Sequence, residues 1–360
     1  MWKKILIALS LTVALCVGAG YWFVGLIDKG RISEELALTL PTDLLYLKGA
    51  VHQRRGKILA VVTSTDKMGN SGKTTGYELT ELSRAYYVFS ANGYEVDIAS
   101  PKGGKPPVVI DDDDMGEFDY AFLNDALAQS KVNNSLHLDQ IIPADYQGVY
   151  FVGGKGAMFD FPDNPAIQDL IKYQYQAGNV VGAVCHGPAA LVNVILDDGS
   201  ALVQNKKVSA FTNAEELFLI PEAKEIFPFL LQSKLMEQGS AFAEGDKYLN
   251  QISHDGNLLT GQNPWSVWAL VEAMITQLGH KPIFREISAD EHSVDVLGIY
   301  ARSGYNAANV KVHLLLTQQS TELNRNLILM HGIVAAMQWD LGKAIDLIRL
   351  TQQAKQLQTP

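Results

Sequence analysis

The stretch Gly178-Asn-Val-Val-Gly-Ala-Val-Cys-His-Gly-Pro-Ala-Ala-Leu-Val-Asn193 decides how the rest of the chain is read. Its run from Val180 to Val184 has the composition of a buried strand, and Pro188-Ala-Ala-Leu191 that of a helix start. Pro188 suits a first helical turn, where its missing N–H would have had no partner. Cys185 therefore falls on the tight turn between strand and helix. That is the geometry of a nucleophile elbow, with the side chain lifted from the sheet edge and a helix N-terminus beside it. The expectation is a thiol of lowered pKa, partly thiolate at neutral pH. A free cysteine is more often a small buried hydrophobe, but His186 and Gly187 directly after it favour the reactive reading.

Outward from this point, strand-like runs at Lys57–Thr63, Tyr94–Ala99, Gly148–Val152, Lys207–Phe211 and Asn257–Gln262 alternate with helical segments. The helices are expected from Thr75, over 118–140, over 164–177, after Pro188 and over 264–278. Such alternation predicts an α/β fold, a flavodoxin-like doubly wound, mostly parallel sheet with helices on both faces. Ligands in such sheets bind beyond the carboxyl ends of the strands, where Cys185 and the turn Gly153-Gly154-Lys155-Gly156 both fall. Consecutive glycines at that turn offer backbone N–H groups to an oxyanion, although a tight turn alone also explains them.

Thr75-Gly-Tyr-Glu78 reads as a capping box, which makes Glu78 a structural cap. Leu79, Leu82, Tyr86 and Phe89 form the packed stripe of the helix that follows. Glu81 lies beside that stripe, where a carboxylate is ordinarily solvated. The ending Gly72-Lys73-Thr74 invites a phosphate loop, but Lys67 stands where that motif needs glycine. The run Asp111 to Asp114 lacks calcium-loop spacing, and His254, His280, His292, His313 and His331 show no metal-ligand spacing, so neither metal nor cofactor is expected.

The chain has 360 residues, 47% hydrophobic and 19% charged, enough for one large or two modest globular domains. A formal net charge of -10 argues against nucleic acid as a partner. Two cysteines exclude a disulfide framework. Ile5 to Ile27 carries no charged residue and is long enough to span a bilayer, with Tyr21, Trp22 and Phe23 near its far end. The expectation is a single-pass anchor over residues 5–27 with the catalytic domain on the extracytoplasmic side; a cleaved signal is the alternative. The domain plan is then an anchor over 1–28, a tether over 29–55, an α/β domain over 56–280 and a helical extension over 281–360. In the extension, 310–317, 323–338 and 341–356 look helical.

Six segments in order carry a family resemblance: Thr75–Glu81, Ala99–Gly104, Gly153–Asp160, Ala183–Pro188, Phe211–Glu216 and Thr260–Pro264. Residues 56–280 resemble the PfpI-like branch of the class I glutamine amidotransferase-like superfamily, especially its heat-shock chaperone and glutathione-independent glyoxalase (glyoxalase III) members. The resemblance implies a nucleophile at Cys185, a partner at His186 and an acid at Glu81 close to the thiol. It implies Glu216 as the acid that orients the histidine, with Glu215 as its alternative. Lys155 departs from the histidine often found there. A true glutamine amidotransferase is disfavoured, because its cysteine is followed by glycine and its histidine comes much later.

The activity so implied is cofactor-independent conversion of a small 2-oxoaldehyde, such as methylglyoxal, into the 2-hydroxy acid, which on glycated thiols or amines would register as deglycase activity. The oxyanion would sit on Gly153 and Gly154, and Glu81 would carry a raised pKa so that it can hydrogen-bond the sulfur. A peptidase- or amidase-like triad of Cys185, His186 and Glu216 is the alternative enzyme, and a membrane-tethered chaperone or redox sensor the alternative without turnover. A homodimer is expected by analogy alone.

Overall fold

Alternation within one strand sets the layers. Strand β1 (Gly56–Val61) sends Ile58 and Ala60 to one face of a sheet and Leu59 and Val61 to the other, and all four are buried. The protein is seen here as a computed structural model, and its described residues are 17–18, 20–28, 35–111 and 114–358. The chain divides into two units, one over Glu34–Glu286 and one formed by the residues up to Ser33 together with Ile287–Pro360.

The larger unit continues with β2 (Tyr77–Glu78), β3 (Tyr94–Ser100), β4 (Val108–Val109), β5 (Leu136–His137), β6 (Gly148–Phe151) and β7 (Val180–Val184). It ends with β8 (Lys207–Val208), β9 (Ala241–Phe242), β10 (Ile252–Asp255) and β11 (Leu258–Gly261). Seven strands form the main sheet in the order β10-β11-β7-β6-β1-β3-β5. Every pairing in it is parallel except β10 with β11. The central strands are near-continuous apolar runs because both their faces are covered. Helices α1 (Leu79–Ala91) and α4 (Val267–Gln277) pack Leu82, Phe89, Val271 and Met274 with the Ile58 face. Helix α2 (Pro165–Gln176) packs Ile167 and Ile171 with the Leu59 face, and α3 (Asn213–Leu219) follows the β8 segment. The α/β class and the mostly parallel, doubly covered sheet are as expected.

Three local expectations are corrected. Helix α1 starts at Leu79 rather than within a Thr75 capping box, and Glu78, at its N-cap position, makes no capping hydrogen bond. The chain after Cys185 forms a five-residue 3-10 turn, Gly187–Leu191, rather than an α-helix, and Asn193 in the left-handed region (φ 65°) follows it. The strand expected over 207–211 pairs only at Lys207 and Val208. Its continuation is taken up by other partners, since Ser209 N–H donates to Thr260 Oγ1 and Phe211 N–H to Cys185 O.

The membrane anchor and the extracytoplasmic placement are corrected as well. Among the described residues no helix is long and apolar enough to cross a membrane. Residues 5–16 and 19 of the expected span lie outside the described residues. The described end of that span belongs to the second unit, where Leu26 is buried. Gly25 O accepts from Lys355 Nζ at 2.5 Å and Leu26 O from Arg325 Nε at 3.2 Å. These carbonyls are bonded to side chains of the C-terminal helices rather than to a continuing helix.

Those helices are α5 (Ala289–His313), α6 (Arg325–Met337) and α7 (Leu341–Gln358). Leu297, Val312, Ile328, Leu347 and Leu350 are among their buried side chains. Most of α5 escaped the periodicity reading. A capping box marks its start: Ser288 Oγ accepts from Glu291 N–H, and Glu291 Oε2 accepts from Ser288 N–H. Gly304 (φ 76°, ψ -176°) kinks the same helix.

Candidate active site

Cys185 sits at the end of β7 with φ 58°, a left-handed conformation that a non-glycine residue adopts at a cost of about 1–3 kcal/mol when its surroundings impose it. Those surroundings are explicit. Cys185 N–H donates to Gly261 O and Cys185 O accepts from Phe211 N–H, both at 2.9 Å. The elbow is thus bonded on both sides of the strained residue.

The turn brings the next side chain back to the sulfur. Cys185 Sγ lies 3.3 Å from His186 Nδ1, and His186 Nε2 lies 2.6 Å from Glu216 Oε2. The imidazole packs against Phe211, ring centroids 4.6 Å apart. Burial pushes the Glu216 carboxyl up, but the His186 charge and hydrogen bond, with Lys155, outweigh it and leave the pKa below its usual value. An ionised carboxylate only accepts, so Nε2 donates to Glu216 and Nδ1 is the ring nitrogen that faces the thiol. A Cys–His–Glu line follows from three residues, two of them adjacent in the chain.

Glu215 and Glu216 separate cleanly. Glu215 closes a capping box at α3, accepting from Thr212 N–H and Oγ1, and also accepts from Tyr248 N–H, Gln262 Nε2 and Asn263 Nδ2. Five donors hold it away from the histidine.

Glu81 is fully buried in the first turn of α1. Its Oε2 accepts from Gly153 N–H at 2.7 Å, and its main-chain O accepts from Tyr150 Oη at 3.0 Å. A methyl group on Gly153 would stand 2.5 Å from Glu81 Oε2, 2.7 Å from Val184 O and 2.8 Å from Cys185 Cβ, so only glycine lets the acid and the elbow meet there. Burial, then the Glu78 charge, raises the Glu81 carboxyl well above its usual range. The expectation of a raised Glu81 agrees with this direction.

The expected thiol pKa is corrected. Cys185 is 6% exposed, and burial together with Glu81 raises its pKa well above the usual thiol value, against the pull of Lys155. The lowered value rested on a helix macrodipole, and a five-residue 3-10 turn is too short to supply one. The role expected for Gly153 is corrected too: its N–H is already donated to Glu81, so Gly154 and Lys155 are what the turn can offer an oxyanion.

The DJ-1/PfpI family model matches residues 73–277, more than half of the chain and the span that holds every residue of this site. The chain belongs to the DJ-1/PfpI family. It is 31% identical over 217 residues to the glutathione-independent glyoxalase hsp3102 of Schizosaccharomyces pombe, a match covering 58% of this chain and 90% of that protein. The crystal structure of Rapid Encystment Protein 24 kDa of Francisella tularensis is similar at TM-score 0.58 and 33% identity, covering 62% of this chain and 99% of that one. That of glyoxalase III from Candida albicans is similar at TM-score 0.57 and 26% identity, covering 62% and 98%. The resemblance drawn from the six segments is borne out at the level of the family.

Residue patterning missed Glu78. It had been assigned to a cap, yet it is a partly buried acid whose charge acts on both Glu81 and Cys185. The signal that could have found it is its spacing of three from Glu81 at a helix start.

Proposed function

We propose that this DJ-1/PfpI-family protein is a cofactor-independent glyoxalase, turning a small 2-oxoaldehyde such as methylglyoxal into the 2-hydroxy acid by way of Cys185. Relatives named glutathione-independent glyoxalase or glyoxalase 3 support the substrate class. The observation that carries the reading is the fully buried Glu81 with its raised pKa, set against the elbow through Gly153. An isomerisation between neighbouring carbons is served by an acid that holds its proton more tightly than an ordinary carboxyl, and burial acts on Glu81 in that direction.

The steps balance with two proton carriers. Cys185 gives its proton to His186 Nδ1 as sulfur adds to the aldehyde carbon, and the imidazolium returns that proton to the new alkoxide, leaving a hemithioacetal. Gly154 N–H and the Lys155 ammonium offset the oxyanion while it exists. His186 then removes the hydrogen on the former aldehyde carbon while Glu81 protonates the ketone oxygen, which gives an enediol. His186 delivers its proton to the second carbon and Glu81 takes one back from the first hydroxyl, which leaves a thioester. Water, with His186 as base, releases the 2-hydroxy acid and restores the thiol. Glu216 offsets the imidazolium each time it forms.

The deciding assay is lactate formation from methylglyoxal by the full chain, wild type beside Cys185→Ala and Glu81→Gln. Both variants should fall to background, and a Cys185→Ala protein at wild-type rate rejects the proposal.

One observation favours a second reading, a hydrolase: the line Cys185–His186–Glu216 has the order of a nucleophile–base–acid triad. Intact mass after incubation with activated esters and peptides separates the two. An acyl group accumulating on Cys185, with no lactate from methylglyoxal, would select hydrolysis.

A further inference from the structure

The helix that carries Glu81 is preceded by a second acid that the fold does not use. Glu78 stands at the N-cap position of α1 without capping it, and its Oε1 is shut off from water with no hydrogen-bond partner. Its main-chain N–H donates to Gly153 O at 3.2 Å, while Gly153 N–H is held by Glu81 Oε2 at 2.7 Å. The Glu78 main chain and the Glu81 carboxyl thus both meet Gly153, which abuts Cys185 Cβ. Leaving a carboxyl oxygen buried and unbonded is unfavourable for the fold.

We propose that Glu78 is a positioning residue of this site, a further acid that, opposed by Lys155, sets the ionisation of Cys185. The proposal rests on the reading of Cys185 as the nucleophile. The groups whose charges couple to Glu78 come from four places: Glu81 and Arg84 on α1, Lys155 in the turn after β6, Asp111 and Asp114 in the loop after β4, and Cys185 on the elbow. Arg84 is turned toward the loop, its Nη2 donating to Asp114 O at 2.5 Å and lying 3.4 Å from Asp119 Oδ2. Lys155 instead acts on Cys185, Glu216 and Glu78 together.

Burial, then Asp114, lifts the Glu78 carboxyl to about 8, with Asp111 adding to the rise and Lys155 and Arg84 opposing it. Below that pH Glu78 is neutral and leaves the thiol alone. Above it a carboxylate appears whose negative charge opposes that of the thiolate. Glu78 thus limits nucleophile formation on the alkaline side, and Lys155 works in the opposite sense.

The experiment follows iodoacetamide alkylation of Cys185 in the full chain across about pH 6 to about pH 10, read by peptide mapping so that Cys16 does not enter. Glu78→Gln should match wild type near pH 6 and react about three- to tenfold faster near pH 9, the separation opening as Glu78 ionises. Lys155→Met should react more slowly by a similar factor. Parallel profiles for Glu78→Gln and wild type across the range overturn the proposal. If Glu78→Gln does not fold, Lys155→Met decides, and an unchanged rate overturns it. Methylglyoxal turnover is not part of this readout, so an absent glyoxalase activity would remove the functional reading and leave this one standing.

Discussion

Glu215 and Glu216 are neighbours in the chain but face different partners: Glu216 Oε2 meets His186 Nε2 at 2.6 Å, while Glu215 is enclosed by donors from Thr212, Tyr248, Gln262 and Asn263. A single residue step along the helix separates chemistry from architecture. Glu216→Gln should lower lactate formation by about 10²-fold or more, because the imidazolium loses its counter-charge, with the melting temperature little changed. Glu215→Gln should do the reverse in kind, turning a donor toward donors and costing about 2–3 kcal/mol of stability. Steady-state kinetics beside urea unfolding checks both, and equal effects of the two variants on kcat would contradict the division.

Gly153→Ala places a methyl group among Glu81 Oε2, Val184 O and Cys185 Cβ, all within 2.8 Å. Two of the three neighbours belong to the sheet end and elbow, which have little room to move. Overpacking of this kind costs about 1–3 kcal/mol, and displacement of Glu81 should remove turnover even where the protein still folds. A Gly153→Ala protein with wild-type kcat would show that the Glu81–Gly153 contact is dispensable.

Stability should fall as pH rises from about 4.5 toward 8. Glu78 moves from 4.5 in the unfolded chain to about 8 when folded, chiefly through burial, and Glu81 moves the same way. A raised carboxyl keeps its proton longer in the folded state, so its contribution is full below the unfolded value and is lost on approach to the folded one. Glu216, which is lowered, has the opposite sign and loses its contribution as pH falls through its folded pKa. Urea unfolding at pH 5 and pH 8 should show Glu78→Gln flattening the decline by about 2–4 kcal/mol. An identical slope in wild type and variant would count against a buried Glu78.

Gly304→Ala tests the helical unit. With φ 76° and ψ -176° inside α5, the position lies where L side chains are strained. The substitution should cost about 1–3 kcal/mol, seen as a lowered thermal transition, unless the helix straightens. Unchanged melting together with an increase in far-UV helix signal would show that the kink is not required.

Much of the site was readable as a list of residues and little of it as geometry. Val180–Val184 and Leu258–Gly261 announced themselves because strands covered on both faces are apolar along their whole length. Helix α5 did not, because its start lies in a capping box rather than in a clear apolar period. The helix expected after Pro188 became a short turn, since proline marks a first turn without saying how many follow. The apolar run at the N-terminus read as a membrane span because hydropathy does not distinguish a lipid-facing residue from one like Leu26, buried beneath C-terminal helices.

By itself the amino-acid order determined the α/β class and placed Cys185 and His186 at a strand end, since these depend on local pattern, and the family motifs singled out Glu81 and the pair Glu215 and Glu216. The protonation states were decided only by the tertiary structure. A thiol expected to be acidic is instead raised, because its surroundings exclude water and place Glu81 beside it. Which acid faces the histidine, and whether Glu78 caps a helix or borders a nucleophile, likewise depend on segments distant in the chain meeting at Gly153 and at the end of β7.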